Sequence, residues 1–176
     1  MNILIVYFSR TYATRIIVEQ IQELLEEKHK VELLKISEKI KYHFLKFTFA
    51  PIRNMEASSV LGTPRLYYDT FRKKKPKLEE FNVDFKKYDI IFIGSPIWYG
   101  RLPPAMNTFL DYLKRNISSF KTFVFITSGR GKNYENYSDV LVKATEESGG
   151  DIIGKIHKTS GQFLTKNELK YILEKI

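Results

Sequence analysis

Ile90-Ile91-Phe92-Ile93-Gly94-Ser95-Pro96-Ile97-Trp98-Tyr99-Gly100 is the stretch whose reading decides the fold. Its first four residues are all apolar. A strand with one wet face would alternate, so this run predicts a strand buried on both faces, like the central strands of parallel sheets. The strand is read as Asp89–Gly94, with Gly94, Pro96 and Gly100 ending it and holding Trp98-Tyr99 at its carboxyl end. Ligands of open α/β sheets bind at that end of the strands. An aromatic pair fixed there suits a flat aromatic ligand. The competing reading is that Trp98 and Tyr99 plug the top of the core.

Outward from this strand, strands and helices alternate. Asn2–Phe8 reads as a buried strand, and residues from about Ala13 to Lys28 as a helix with Ile16, Ile17, Ile21, Leu24 and Leu25 at helical spacing. Val31–Ile36 is a second strand and Lys121–Thr127 a fourth. Between strands three and four, Pro104–Leu113 reads as a helix that a first-turn proline tolerates, ending in Lys114-Arg115. Glu135–Glu147 is a helix closed by Gly149-Gly150, Asp151–Lys155 a fifth strand, and Lys166–Glu174 a last helix. The alternation predicts an α/β fold, a parallel sheet with helices on both faces. Residues from about 37 to 77 break the pattern. Phe44, Leu45, Phe47 and Phe49 are too apolar for a plain linker, and Pro51, Gly62-Thr63-Pro64 and Pro76 punctuate them. Short helices packed near the ligand edge, Leu66–Arg72 among them, are expected there.

The length of 176 residues predicts a single domain over 1–176. With no cysteine, disulfides, thiolate metal sites and a cysteine nucleophile are excluded. The apolar run within Met1–Val6 is too short for a membrane span and has no basic flank, so a cytoplasmic location is expected. The net charge is +9, and residues 38–88 hold twelve basic against six acidic side chains. A solvated face explains such a segment; so does a surface for an acidic partner or nucleic acid.

Three loops fall at one edge of the expected sheet. After the first strand, Ser9-Arg10-Thr11-Tyr12-Ala13-Thr14 leads into a helix, where hydroxyls, helix N–H groups and Arg10 make an anion cradle. Plain N-capping is the alternative there. Neither a G-x-G-x-x-G nor a P-loop pattern is present. The second loop is Ser95-Pro96-Ile97-Trp98-Tyr99-Gly100. The third, Thr127-Ser128-Gly129-Arg130-Gly131, lets a ring edge approach the backbone and bond its N–H groups; a flexible turn is the alternative. A phosphate at the first loop, a planar ring at the second and a polar ring edge at the third describe flavin mononucleotide, FMN.

Tyr7-Phe8-Ser9-Arg10-Thr11-x-x-Thr14, the segment Ile93–Gly100 with Leu102-Pro103-Pro104 behind it, and Thr127-Ser128-Gly129 resemble the flavodoxin family over most of the chain. Phe71-Arg72-Lys73-Lys74-Lys75-Pro76 is similar to a basic segment of short flavodoxin-domain proteins. The resemblance implies a five-stranded sheet of order 2-1-3-4-5 with non-covalent FMN at the switch point. It also implies Gly-Asn where this chain has Tyr12-Ala13. A tyrosine turned toward the phosphate would close the site.

No acid–base constellation is visible. His29, His43 and His157 lie outside the three loops and read as surface or capping histidines. A flavin carries the electrons itself, so none is required. Trp98 or Tyr99 would stack on the ring and Ser128 and Gly129 hold its pyrimidine edge. Family carriers are typically acidic, whereas this chain is basic. Arg101, Arg130 and Lys132 are expected around the ring, where positive charge favours its reduced form. The leading expectation is an FMN redox protein, either a carrier serving a partner protein or a quinone-type reductase of a small acceptor. The alternatives are a module that has lost FMN and binds protein or an acidic surface, and, with least weight, nucleic-acid binding by residues 38–88 through Tyr42, Phe44, Phe47, Tyr67 and Tyr68.

Overall fold

The all-apolar third strand becomes the centre of the sheet. The computed structural model describes residues 1–10, 12–39, 70, 72, 75–129 and 137–176. Within them are strands β1 (Asn2–Tyr7), β2 (Lys30–Lys35), β3 (Ile90–Ile97), β4 (Phe120–Ser128) and β5 (Gly150–Thr159). They pair in parallel in the order β2-β1-β3-β4-β5. Helices α1 (Ala13–Glu26), α2 (Pro104–Asn116), α3 (Ser138–Glu146) and α4 (Lys166–Lys175) connect or follow them. Successive residues of the central strands serve opposite cores. Leu4, Val6, Ile91, Ile93, Val124 and Ile126 pack with α2 residues such as Met106, Phe109 and Leu113. Ile3, Ile5, Phe92, Phe123 and Phe125 pack with Ile17, Ile21 and Leu25 of α1 and Ile172 of α4. Among the described residues no helix is long and apolar enough to cross a membrane.

Two strands run further than their sequence suggests. β3 does not end at Gly94 but continues through Ser95 and Pro96 to Ile97, all buried. The β4 partner explains this, because its pairing extends to Ile97↔Ser128, while β1 pairing stops at Tyr7↔Gly94. Phe8 N–H donates to the Gly94 carbonyl. Pro96, two residues on, points the same way, past the end of β1, so its missing N–H leaves no ladder bond broken. β5 likewise runs past Lys155 to Thr159, in register with β4 as far as Ser128. A single 3-10 turn, Phe85–Lys87, was too short for any periodic signal; the Asp84 carboxylate accepts from Lys86 N–H to start it.

The segment expected to hold short helices, including most of Leu66–Arg72, lies outside the described residues. Its two ends are described and meet. Glu38 and Leu78 form an antiparallel bridge, with Lys39 N–H donating to the Lys77 carbonyl and Glu79 N–H to the Ser37 carbonyl. At the other end of the chain, Thr165 and Glu168 form a capping box for α4. Partial burial pushes the Glu168 carboxyl up, but hydrogen bonds from Thr165 and Lys158 outweigh it and hold the group below its ordinary value.

Gly94 leaves room on β3 for the ring of its β4 partner Phe125, with which a Cβ there would clash. Gly94→Ala is expected to lower the unfolding free energy by about 1–3 kcal/mol, as overpacked cores do. Urea denaturation checks this, and Phe125→Leu should cost less in the Gly94→Ala background than alone. Equal stability of Gly94→Ala and the parent would contradict the contact.

Candidate functional site

The carboxyl end of β1 delivers a buried hydroxyl. Ser9 is 7% exposed, and its Oγ has no hydrogen-bond partner among the described residues. Buried hydroxyls are rarely left so, and such an orphan marks a place for an unseen partner. The adjoining α1 begins at Ala13 with no side-chain cap, so its first N–H groups receive no oxygen from the residue before them. Arg10, half-buried, has no ion pair among the described residues. An acceptor-rich anion fits this set: a hydroxyl, helix N–H groups and a guanidinium.

Tyr12 does not close the cradle. It adopts φ 65°, the left-handed conformation that glycine takes without penalty, so the backbone makes the turn implied for a glycine there. Its side chain lies on the outer surface of α1, where the hydroxyl reaches Glu19 Oε1 at 3.1 Å and the Arg15 guanidinium sits 5.0 Å over the ring. Arg15 also binds Glu19 at 2.8 Å. The Glu19 hydrogen bond, then the Tyr12 charge interaction, raises the already high Arg15 pKa.

The second loop is a two-residue hairpin. Trp98 and Arg101 exchange backbone hydrogen bonds of 2.9 Å in both directions. The two residues between them, Tyr99 (φ 51°) and Gly100 (φ 73°), are both left-handed, the requirement of a type I′ turn. Gly100 also faces the Tyr137 ring, which a Cβ would meet at 2.7 Å. The hairpin divides the aromatic pair. Trp98 is half-buried and meets the Phe8 ring edge-on at 5.6 Å, packing on the core. Tyr99 is 58% exposed. Trp98 thus follows the core-packing reading of the pair, while Tyr99 stands exposed at the sheet edge.

The third loop is stitched to the first. Thr14 Oγ1 and Thr127 Oγ1 lie 2.8 Å apart and are both buried, joining the start of α1 to the end of β4. Ser95 is fully buried and its hydroxyl donates to the Pro96 carbonyl. Pro96 and Ile97 are buried beneath the hairpin, and Gly129 is exposed at the end of β4. Thr11, Arg130 and Gly131 lie outside the described residues. Ser9, Arg10, Tyr12, Ala13 and Thr14, the 95–100 segment, and Thr127, Ser128 and Gly129 therefore gather at the carboxyl ends of three adjacent strands. None of these lines the groove of about 330 Å³ between α2 and α3, which Asn107, Lys114, Val140 and Ser148 border.

His157, read from sequence as a surface or capping residue, is half-buried on β5 with its Nε2 2.8 Å from Ser128 Oγ. Only the true length of β5 places it there, because a fifth strand ending at Lys155 leaves it in a loop.

A parallel sheet of order 2-1-3-4-5 defines a flavodoxin-like fold, with the Ser9 and Tyr99 loops at its switch point. A family model described as NADPH-dependent FMN reductase matches residues 1–159, and the chain belongs to that family. Among solved structures it is similar to a flavoprotein in complex with FMN from Lactobacillus acidophilus, with 25% identity, a TM-score of 0.64, and coverage of 89% of this chain and 92% of that one. The apo-form of that flavoprotein matches with a TM-score of 0.62 at 25% identity, covering 89% of this chain and 91% of that one. Two-electron reduced flavodoxin from Megasphaera elsdenii shares the fold, with 18% identity, a TM-score of 0.56, and coverage of 98% and 96%. No curated protein matches the chain.

A tyrosine in a type I′ turn costs about 1–2 kcal/mol of backbone strain, whereas asparagine tolerates that conformation. Tyr99→Asn is therefore expected to raise the melting temperature of the cofactor-free protein by a few degrees and to weaken FMN binding at least tenfold. Calorimetry and flavin titration read the two effects. A variant that binds FMN as tightly as the parent would remove Tyr99 from the site.

Proposed function

We propose that FMN is held at the carboxyl ends of β1, β3 and β4, and that the protein is a reductase taking electrons from a reduced nicotinamide and passing them to a small, quinone-type acceptor. The observation that carries the site is the buried Ser9 Oγ, without a partner among the described residues, beside the uncapped start of α1. Ser9, the N–H groups of Ala13 and Thr14, and Arg10 would hold the phosphate, with Thr11 beside them in the sequence. Tyr99 would cover the ring, with Trp98 bracing the hairpin from below and Pro96 and Ile97 flooring it. Ser128 and Gly129, followed by Arg130 and Gly131, would face the polar ring edge.

Bound FMN supplies the two-electron ring chemistry. The protein's part is to bind, orient and charge the site. Thr14 and Thr127 tie the phosphate end to the ring end. Arg101, exposed at the foot of the hairpin, adds positive charge, as do Arg130 and Lys132 in the sequence beyond β4. Positive charge near a ring that gains electrons favours the reduced form. A reduction potential above that of an acidic flavodoxin is expected, and a redox titration checks it.

Two features favour a reductase over a protein-docking carrier: the family is named for NADPH-dependent reduction, and the net charge of +9 is opposite to that of an acidic carrier. The other reading from sequence, a module without FMN, rested on Tyr12-Ala13, and Tyr12 leaves the cradle open.

Adding FMN to the purified protein should quench flavin fluorescence and Trp98 emission. Arg10→Ala should weaken binding about ten- to a hundredfold, the range for a hydrogen bond to a charged group. Unchanged affinity would exclude Arg10 from the phosphate site. With FMN bound, steady NADPH consumption in the presence of a quinone supports the reductase. A flavin that chemical reductants reduce but NADPH does not would make the protein a carrier.

A further inference from the structure

Ser128 is the last residue of β4 and is 2% exposed. Its carbonyl accepts from Ser160 N–H at 2.7 Å, and its hydroxyl is the side-chain group a ligand could meet. That hydroxyl is bonded from behind by His157 Nε2 at 2.8 Å, from the neighbouring strand β5. A serine hydroxyl has one proton to donate. When Nε2 is an acceptor, the proton points to the histidine and Ser128 shows the site only lone pairs. When Nε2 carries a proton, as it must in the imidazolium, the histidine donates and Ser128 is released to donate forward. The strand pairing thus makes the histidine decide which sense of hydrogen bond the serine offers.

We propose that His157, with its neutral-state proton on Nδ1, is a positioning residue that acts through Ser128, setting the Ser128 hydroxyl as donor or acceptor toward the polar ring edge of FMN and so making flavin affinity depend on the charge of an imidazole. This inference rests on the FMN site proposed above. The ring's pyrimidine carbonyls accept hydrogen bonds and its imide N–H donates one, so a change of sense at Ser128 is felt by the ligand. Imidazole ordinarily changes charge between pH 5 and 8. Among the described residues, the groups on the same face are Lys155 of β5, paired with Asp139 of α3 at 3.0 Å, and Tyr137 ahead of α3. On the opposite face of β5, Lys158 is held by Glu168 of α4 at 3.0 Å.

The test measures the FMN dissociation constant from pH 5 to 8 for the parent, His157→Gln, His157→Ala and Ser128→Ala. The FMN phosphate itself loses a proton near pH 6, as phosphate monoesters do. The readout is therefore the ratio of each variant's dissociation constant to the parent's at each pH. The inference expects that ratio to change about tenfold across the range for His157→Gln and Ser128→Ala alike, the worth of one hydrogen bond gained or lost. The double variant should add nothing to either single. In the cofactor-free protein, the His157 ring nitrogens followed by NMR should titrate differently once Ser128 is replaced by Ala. Ratios that stay constant with pH, with all variants folded, would overturn the inference while leaving the FMN site intact. A parent that binds no FMN would overturn the site on which it rests, and that result shows in the parent alone.

Discussion

Everything at the site depends on β3 and β4 pairing beyond the end of β1. From Ser95 to Ile97 the third strand has a strand neighbour on one side only, and the Ser9 loop follows β1 on the other. That overhang requires three local choices to agree. Gly94 must lack a side chain so that Phe125 can lie against it. Pro96 must fall where no N–H is needed. The chain must then reverse within two residues, which the Tyr99-Gly100 turn achieves. The carboxyl ends of the strands consequently form a step rather than a flush rim, and a planar ligand can lie against the riser.

Most of this architecture is legible in the sequence because burial on two faces leaves so plain a mark. Ile90–Ile93 and Phe123–Ile126 have no polar interruption, and the helical spacing of Ile17, Ile21 and Leu25 leaves little choice for α1. Strand ends were harder to read, for a physical reason. Gly and Pro punctuate most strands, yet Gly94 and Pro96 sit inside β3, where pairing with β4 overrides their local preference. The end of β5 was lost because His157 reads as a surface or capping residue, while pairing with β4 holds it in the strand.

The candidate site was legible as a set of loops but not as a set of orientations. Sequence places Trp98 and Tyr99 together; only the hairpin separates the core-packing ring from the exposed one. It places Tyr12 where glycine is implied, and only the backbone shows that the tyrosine accepts the left-handed turn and swings to Glu19. Both tyrosines with positive φ border the proposed site. Strained backbone of this kind costs about 1–3 kcal/mol and persists where the surroundings fix it. Here helix α1 fixes one, and paired hydrogen bonds between Trp98 and Arg101 fix the other.

The bridge between Glu38 and Leu78 has an evolutionary consequence. It pins both ends of the intervening sequence to each other before they join the sheet, so the sheet meets a closed base rather than two loose strands of chain. The entropic cost of such a closed loop grows by only about 0.6 kcal/mol for each doubling of its length. The segment can therefore lengthen, shorten or change composition across relatives with little effect on the strands that carry the site.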